Sequence, residues 1–180
     1  MAVSMDEPVV VTPRLDPSVP VFSLGRYAGV RRAAIVAMKE RGRTDLVGPI
    51  AGAVGDGLAR LVAWGVLDVP MTVVPAPTRR AAARRRGGDP VTAFARAAAM
   101  PGVTVVPALR MRAFTRDSVG LSAGARQRNV TGRVKVCADV GGEVVLIDDV
   151  VTTGATCCES VRVLQTAGAR VVAILTVAHA

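Results

Sequence analysis

The chain has 180 residues, of which 51% are hydrophobic and 21% charged. That is the composition of a globular protein with a sizeable core, and it excludes both a disordered chain and two full enzymatic domains. The formal charge of +9 is local: residues 79–133 hold twelve arginines against Asp89 and Asp117, so one segment carries the whole excess.

Residues 1–21 contain Pro8, Pro13, Pro17 and Pro20 without an apolar period and are expected to form an extended or disordered arm. Val30, Ala34 and Met38 then recur at helical spacing, with Gly42 placed as a C-cap. Leu46, Ile50, Val54, Leu58 and Leu61 continue on one face and stop at Gly65, so residues 22–65 are expected to form a small helical hood. Residues 66–180 read differently. The apolar runs 71–74, 103–106, 144–147 and 171–177 have the character of strands covered on both faces, the parallel α/β arrangement. Between the first two lies Asp89-Pro90, an N-cap and N1 pair, followed by Val91, Phe94 and Ala98 on one face. Between the last two lie Cys157, Val161 and Leu164, closed by Gly168. Val-Val-Pro-Ala occurs at 73–76 and at 105–108, a separation that suits one strand-helix-strand unit.

Three cysteines, two of them the adjacent Cys157 and Cys158, supply neither a disulfide framework nor a zinc pair and are expected to be reduced, buried thiols. The apolar run at 171–178 falls short of the ~20 residues that span a bilayer. The start of the chain lacks the segments of a signal peptide. A cytoplasmic protein with no membrane partner is therefore expected. The arginine excess has two readings that composition leaves open: a solvated face within an arginine-rich composition, or a surface for polyanions, since guanidinium forks match phosphate oxygens. Five aromatic residues, Phe22, Tyr27, Trp64, Phe94 and Phe114, are few for a base-stacking sheet.

Several common motifs fail. Lys39 and Lys135 are the only lysines and neither follows a glycine, so no nucleotide-binding P-loop is present. The stretch 120–124 has the G-x-S-x-G form, and Ser122, Asp148 and His179 fall in hydrolase order. Yet polar residues precede Ser122 where a strand is required, and His179 is the penultimate residue, expected to fray.

The strongest signal is the run Val144-Val145-Leu146-Ile147-Asp148-Asp149-Val150-Val151-Thr152-Thr153-Gly154-Ala155-Thr156. A buried strand delivers two carboxylates, and a Thr/Gly loop then opens directly into a helix. Backbone amides at 152–156, at the positive end of the helix dipole, suit a phosphate, and Gly154 permits close approach. Asp148 and Asp149 suit sugar hydroxyls and hydrated Mg²⁺. The alternative, that the acids cap a neighbouring helix, accounts poorly for two carboxylates side by side, which repel unless a cation or donors justify them. Phosphate at one end and diol at the other describe a ribose 5-phosphate.

Residues 144–156 resemble the 5-phosphoribosyl 1-pyrophosphate (PRPP) motif of type I phosphoribosyltransferases. The wider chain, over residues 22–178, resembles the ComF/GntX family in Leu24-Gly25-Arg26-Tyr27, Met38-Lys39-Glu40-Arg41-Gly42, Val74-Pro75-Ala76-Pro77 with Arg79, Arg80 and Arg84 to Gly87, and Val119-Gly120-Leu121-Ser122 with Arg126, Asn129 and Val130. The resemblance implies a parallel-sheet phosphoribosyltransferase fold with an N-terminal hood. It implies Asp148 and Asp149 as the catalytic, Mg²⁺-binding acids and Thr152, Thr153, Gly154, Ala155 and Thr156 as the 5-phosphate loop. Pro75, Ala76, Pro77, Thr78 and Arg79 would form the pyrophosphate loop, and Arg84, Arg85, Arg86 and Gly87 part of a mobile loop. The implied ligands are PRPP and a nucleobase-like acceptor, which the sequence does not identify. The alternative is a single-stranded DNA-binding module serving competence or recombination; a homodimer stays open. The family's Arg-Gly-Phe-Asn-Gln is here Arg86-Gly87-Gly88-Asp89-Pro90, and its cysteine zinc module is missing.

Overall fold

In a computed structural model, residues 7–78, 88–112 and 132–180 are described. The elements in chain order are β1 (Val9–Val10), β2 (Val21–Ser23), α1 (Gly29–Arg41), a 3₁₀ turn (Thr44–Leu46), α2 (Val47–Ala63), β3 (Met71–Pro75), α3 (Pro90–Ala97), β4 (Val103–Val105), β5 (Leu109–Met111), β6 (Val134–Val136), β7 (Glu143–Val151), α4 (Ala155–Thr166) and β8 (Arg170–His179). Six strands form one sheet in the order β1-β2-β8-β7-β3-β4. Among the described residues of this sheet, only the β1–β2 pairing is antiparallel. The protein is α/β with a mostly parallel sheet, as the four apolar runs predict. β5 and β6 form a separate antiparallel ribbon.

The local signals act where they were read. Gly42 adopts a left-handed φ of 63° and closes α1, its amide donating to the Ala37 carbonyl. The Asp89 carboxylate accepts from the Val91 amide, with Pro90 at the first helical position of α3. Alternation along β7 then builds two cores. Val145 and Ile147 face one side, where α1, α2 and α3 bury Ile35, Ile50, Val54, Leu58, Leu61 and Phe94. Val144 and Leu146 face the other, where α4 buries Cys157, Val161 and Leu164. Gly57 lets α2 lie close on the sheet, since a Cβ there would stand 2.7 Å from Leu24 Cδ2.

The segment expected as a hood shares the first core with the sheet, and Phe22 and Ser23 belong to β2, paired in parallel with β8. Together with the preceding 3₁₀ turn, α2 makes one 20-residue stretch, Thr44–Ala63, long and apolar enough by length and composition to cross a membrane. Its inner face is the one packed on the sheet. From Glu7 onward the N-terminal arm is held in place, bending at Ser18 with a left-handed φ of 61°: Val11 donates to Val21, and Val11, Leu15 and Val19 pack against the second core.

The expectation for His179 is corrected. It ends β8 in register with Val151, bridges to Arg26, donates its amide to Gly25 and accepts from Tyr27. Strands on both sides hold the penultimate residue, so it does not fray.

Candidate functional site

β3 and β7 are neighbours whose connections leave in opposite directions: β3 passes through α3 to β4, and β7 through α4 to β8. Right-handed crossovers that step in opposite directions require helices on opposite faces. Accordingly α3 lies in the first core and α4 in the second. The carboxyl ends of β3 and β7 therefore flank a topological switch point, the place where open α/β sheets form a ligand crevice.

The sequence-expected residues meet there. Pro75, ending β3, is in register with Ile147, and the Ala76 amide donates to the Ile147 carbonyl at 2.7 Å. Pro75 to Thr78 thus leave the sheet beside the strand that immediately delivers Asp148 and Asp149. Thr78 donates its hydroxyl to Asp89 Oδ1 at 2.7 Å, while Thr92 donates to Asp89 Oδ2. The same carboxylate that caps α3 therefore joins the two ends of the 79–87 segment. Arg79, Arg84, Arg85, Arg86 and Gly87 lie outside the described residues.

The acids sit inside β7, which runs on to Val151. Alternation turns them to opposite faces. Asp149 faces α1, where its Oδ2 lies 2.5 Å from Lys39 Nζ, and its Oδ1 accepts from the Val150 amide at 2.7 Å. Asp148 lies on the α4 side, where its charge helps hold the buried Cys157 thiol up, after burial itself. Asp148 Oδ1 accepts from the Asp149 amide at 2.8 Å. Burial, and next the Asp149 charge, push the Asp148 carboxyl up to about 8, with Lys39 pulling the other way. Lys39 belongs to the Met38–Gly42 stretch that the family resemblance carries, but sequence spacing gave no sign that it reaches Asp149. Only the packing of α1 on the sheet does that.

The loop before α4 is built by Gly154, with φ 84°, and by Thr153, whose hydroxyl accepts from the Ala155 amide at 3.4 Å. Thr152 is exposed, Thr156 half-buried, and Thr153, Gly154 and Ala155 are buried. The first-turn amides of α4 have no carbonyl one turn earlier and carry the positive end of the dipole. The close approach that Gly154 allows is made by the arm. A Cβ there would stand 2.6 Å from the Leu15 carbonyl oxygen and 3.0 Å from Pro13 Cβ.

The side chains do not fit a magnesium ion held jointly by the two acids. The carboxylates diverge across β7, the ammonium of Lys39 occupies Asp149 Oδ2, and among the described residues no three His, Cys, Asp or Glu side chains converge on a metal position.

Fold and crevice together define an α/β protein with a switch-point site made of an acid pair, a lysine and a helix-opening loop. A solved structure to which the chain is similar is the crystal structure of phosphoribosyltransferase from Corynebacterium diphtheriae. The identity is 21%, over 82% of this chain and 75% of that one, with a TM-score of 0.45. No family model and no curated protein matches the chain.

Proposed function

We propose that this chain is a phosphoribosyltransferase-like protein of the ComF/GntX kind. It binds PRPP in the β3–β7 crevice and transfers ribose 5-phosphate to a nitrogenous acceptor. The observation that carries the reading is the convergence, at the switch point, of the loop opening α4 with the Asp148–Asp149 pair on one wall and Pro75 to Thr78 on the other. A phosphate fits the amides of the loop, a ribose hydroxyl fits the half-buried Asp148 carboxyl, and the arginines that follow Thr78 in sequence suit a pyrophosphate. In the reaction the bond from C1 to the pyrophosphate oxygen breaks, the acceptor nitrogen bonds to C1, and the acceptor proton leaves to solvent. No covalent nucleophile is needed, because positioning and electrostatic stabilisation of an oxocarbenium-like transition state supply the catalysis. Mg²⁺ is proposed as a companion of the pyrophosphate, not as a resident of the two aspartates.

Calorimetric titration of PRPP into wild type and into the Asp148→Asn, Asp149→Asn double variant tests the reading. Binding by wild type that the double variant loses supports it, and pyrophosphate release with a nitrogenous base establishes turnover. Absence of PRPP binding by folded wild type ends it.

The β5–β6 ribbon favours a second reading, a surface for single-stranded DNA. Arg110 stands directly opposite Lys135, and the Arg112 amide donates to the Arg133 carbonyl two pairs further on, so basic residues recur along one face of a ribbon whose Leu109, Met111 and Val134 are buried. Like charges placed opposite one another weaken a ribbon unless an anion joins them. Oligonucleotide affinity that falls steeply with salt supports this reading.

A further inference from the structure

We propose that the N-terminal arm positions the loop that opens α4: Leu15 locks the Thr153–Gly154 peptide so that the Gly154 N–H is presented to a phosphoryl group. The inference rests on the sugar-phosphate function proposed above and adds to it a residue from the opposite end of the chain. The Leu15 amide donates to the Thr153 carbonyl at 2.9 Å. The carbonyl and the N–H of one trans peptide point in opposite directions, because the unit is planar. Pinning the Thr153 carbonyl toward the arm therefore turns the Gly154 N–H away from it. Without that bond the orientation is weakly held, since glycine adopts either sign of φ at little cost and the peptide before it turns over readily. The arm also opposes that movement sterically: the Leu15 carbonyl oxygen lies 2.6 Å, and Pro13 Cβ 3.0 Å, from the point where a Cβ on Gly154 would stand. Among the described residues no acceptor meets the Gly154 amide, although Gly154 is buried, and a buried backbone donor calls for a partner. Gly154 is left-handed, with φ 84° and ψ -1°, and the helix begins at Ala155. A left-handed residue followed by right-handed ones gathers successive N–H groups into an anion-binding concavity. The exposed Thr152 and half-buried Thr156 leave the loop open beside it.

The arm is held on both sides of the contact. Before it, Val9 and Val10 pair with β2 and the Val11 amide donates to the Val21 carbonyl. After it, the chain turns at Ser18, whose amide donates to Asp16 Oδ1, and enters β2. Val11, Leu15 and Val19 pack against the second core, which also contains Ala155, Cys157 and Val161 of α4. Burial, and next the Asp16 charge, hold the Cys158 thiol up, an independent sign that the arm lies along the first turn of α4. Pro13 and Pro17 fix two φ values in the arm, which lowers the entropy lost on docking. Leu15 acts through the loop and is a positioning residue.

Ribose 5-phosphate is the probe, read by calorimetry and by the amide resonance of Gly154 in the full chain. Leu15→Pro removes the donor, whereas Leu15→Ala keeps it and removes side-chain packing. Wild type is expected to bind with a downfield shift of the Gly154 N–H, Leu15→Ala to bind within about threefold, and Leu15→Pro to lose about tenfold together with that shift, as for a hydrogen bond to a charged group. The Gly154 shift separates positioning from general stability, which thermal melting reads in parallel. Equal affinity of wild type and Leu15→Pro overturns the inference. So does an equal loss in Leu15→Ala and Leu15→Pro, which assigns the effect to packing. Should Leu15→Pro not fold, wild type still decides: a shifted Gly154 resonance supports the inference, and ribose 5-phosphate bound without that shift overturns it. If wild type binds no ribose 5-phosphate, the sugar-phosphate function falls and the inference with it, a result distinct from binding that ignores Leu15.

Discussion

The amide of Leu15 donates a 2.9 Å hydrogen bond to the carbonyl of Thr153, which ties the N-terminal arm to the loop that opens α4. The arm approaches so closely that Gly154 has no room for a side chain on that side. The conformation of the candidate phosphate loop is therefore a property of two segments far apart in sequence.

Gly154→Ala and Gly142→Ala separate backbone strain from this contact. Both glycines have a left-handed φ, 84° and 74°, but a Cβ at Gly142 meets nothing within 4 Å. Gly142→Ala should cost about 1–2 kcal/mol, the penalty of a left-handed backbone. Gly154→Ala should cost clearly more, because the Leu15 carbonyl must also move. Urea unfolding of both variants measures the difference, and equal costs would show that the arm yields freely.

Truncation reads the same contact through dynamics. Removing residues 1–16 takes away Leu15, whereas removing residues 1–11 takes away β1 and leaves Leu15 in place. Amide hydrogen exchange in the first turn of α4 should rise more in the longer truncation, since local opening follows the loss of buried contacts. Equal exchange in the two truncations would assign the effect to β1.

Asp148 gives the stability a pH dependence of unusual sign for a carboxylate. Its folded-state value is pushed up to about 8, mainly by burial and then by the Asp149 charge, from an ordinary 3.8. As pH rises through the ordinary value the unfolded chain releases this proton while the folded chain keeps it. The contribution of Asp148 to stability is thus full in acid, declines with rising pH between the two values, and levels off above the upper one. Asp148→Asn should flatten that decline and raise the melting temperature at pH 8 relative to wild type. Denaturant titrations across the window check it, and a wild-type stability that climbs between pH 5 and pH 8 while the variant's does not would contradict it.

Asp89 caps α3 and receives the hydroxyls of Thr78 and Thr92. Asp89→Ala should cost about 0.5–2 kcal/mol as a lost N-cap, with the added release of Thr78 loosening the neck of the 79–87 segment. Asn keeps an acceptor for the Val91 amide, so Asp89→Asn should cost distinctly less. Thermal unfolding of the pair distinguishes them. Similar losses would mean that charge matters here and the cap geometry does not.

The ribbon offers an inverse test. Replacing Arg110 or Lys135 with Ala removes a like-charge pair set directly across two strands. Stability should stay level or rise by about 0.2–1 kcal/mol, with the gain vanishing in high salt. If the ribbon serves DNA, oligonucleotide affinity drops in the same variants. Loss of stability together with unchanged affinity would remove the polyanion role.

Much of the fold was legible because its signals are local. The apolar runs around Val73, Val145 and Ile174 are covered on both faces and leave no helical or alternating pattern. Asp89-Pro90, Gly42 and Gly168 mark element ends through capping and left-handed φ, which depend on a residue and its immediate neighbours. The acid pair and the loop after it were legible for the same reason, since strand, carboxylates, glycine and helix start follow one another without a break. β1, β2, β5 and β6, each two or three residues long, were not read as strands.

By itself the sequence determined an α/β chain whose third apolar run brings Asp148 and Asp149 to a helix-opening loop. Tertiary structure alone decided what those groups meet: Lys39 beside Asp149, Asp148 on the other face, Leu15 against Thr153, and His179 held between strands. Caps and burial patterns are written in neighbouring residues. Which charge faces a buried carboxylate depends instead on how α1 and the arm pack on the sheet, and residues more than a hundred positions apart in the chain make that contact.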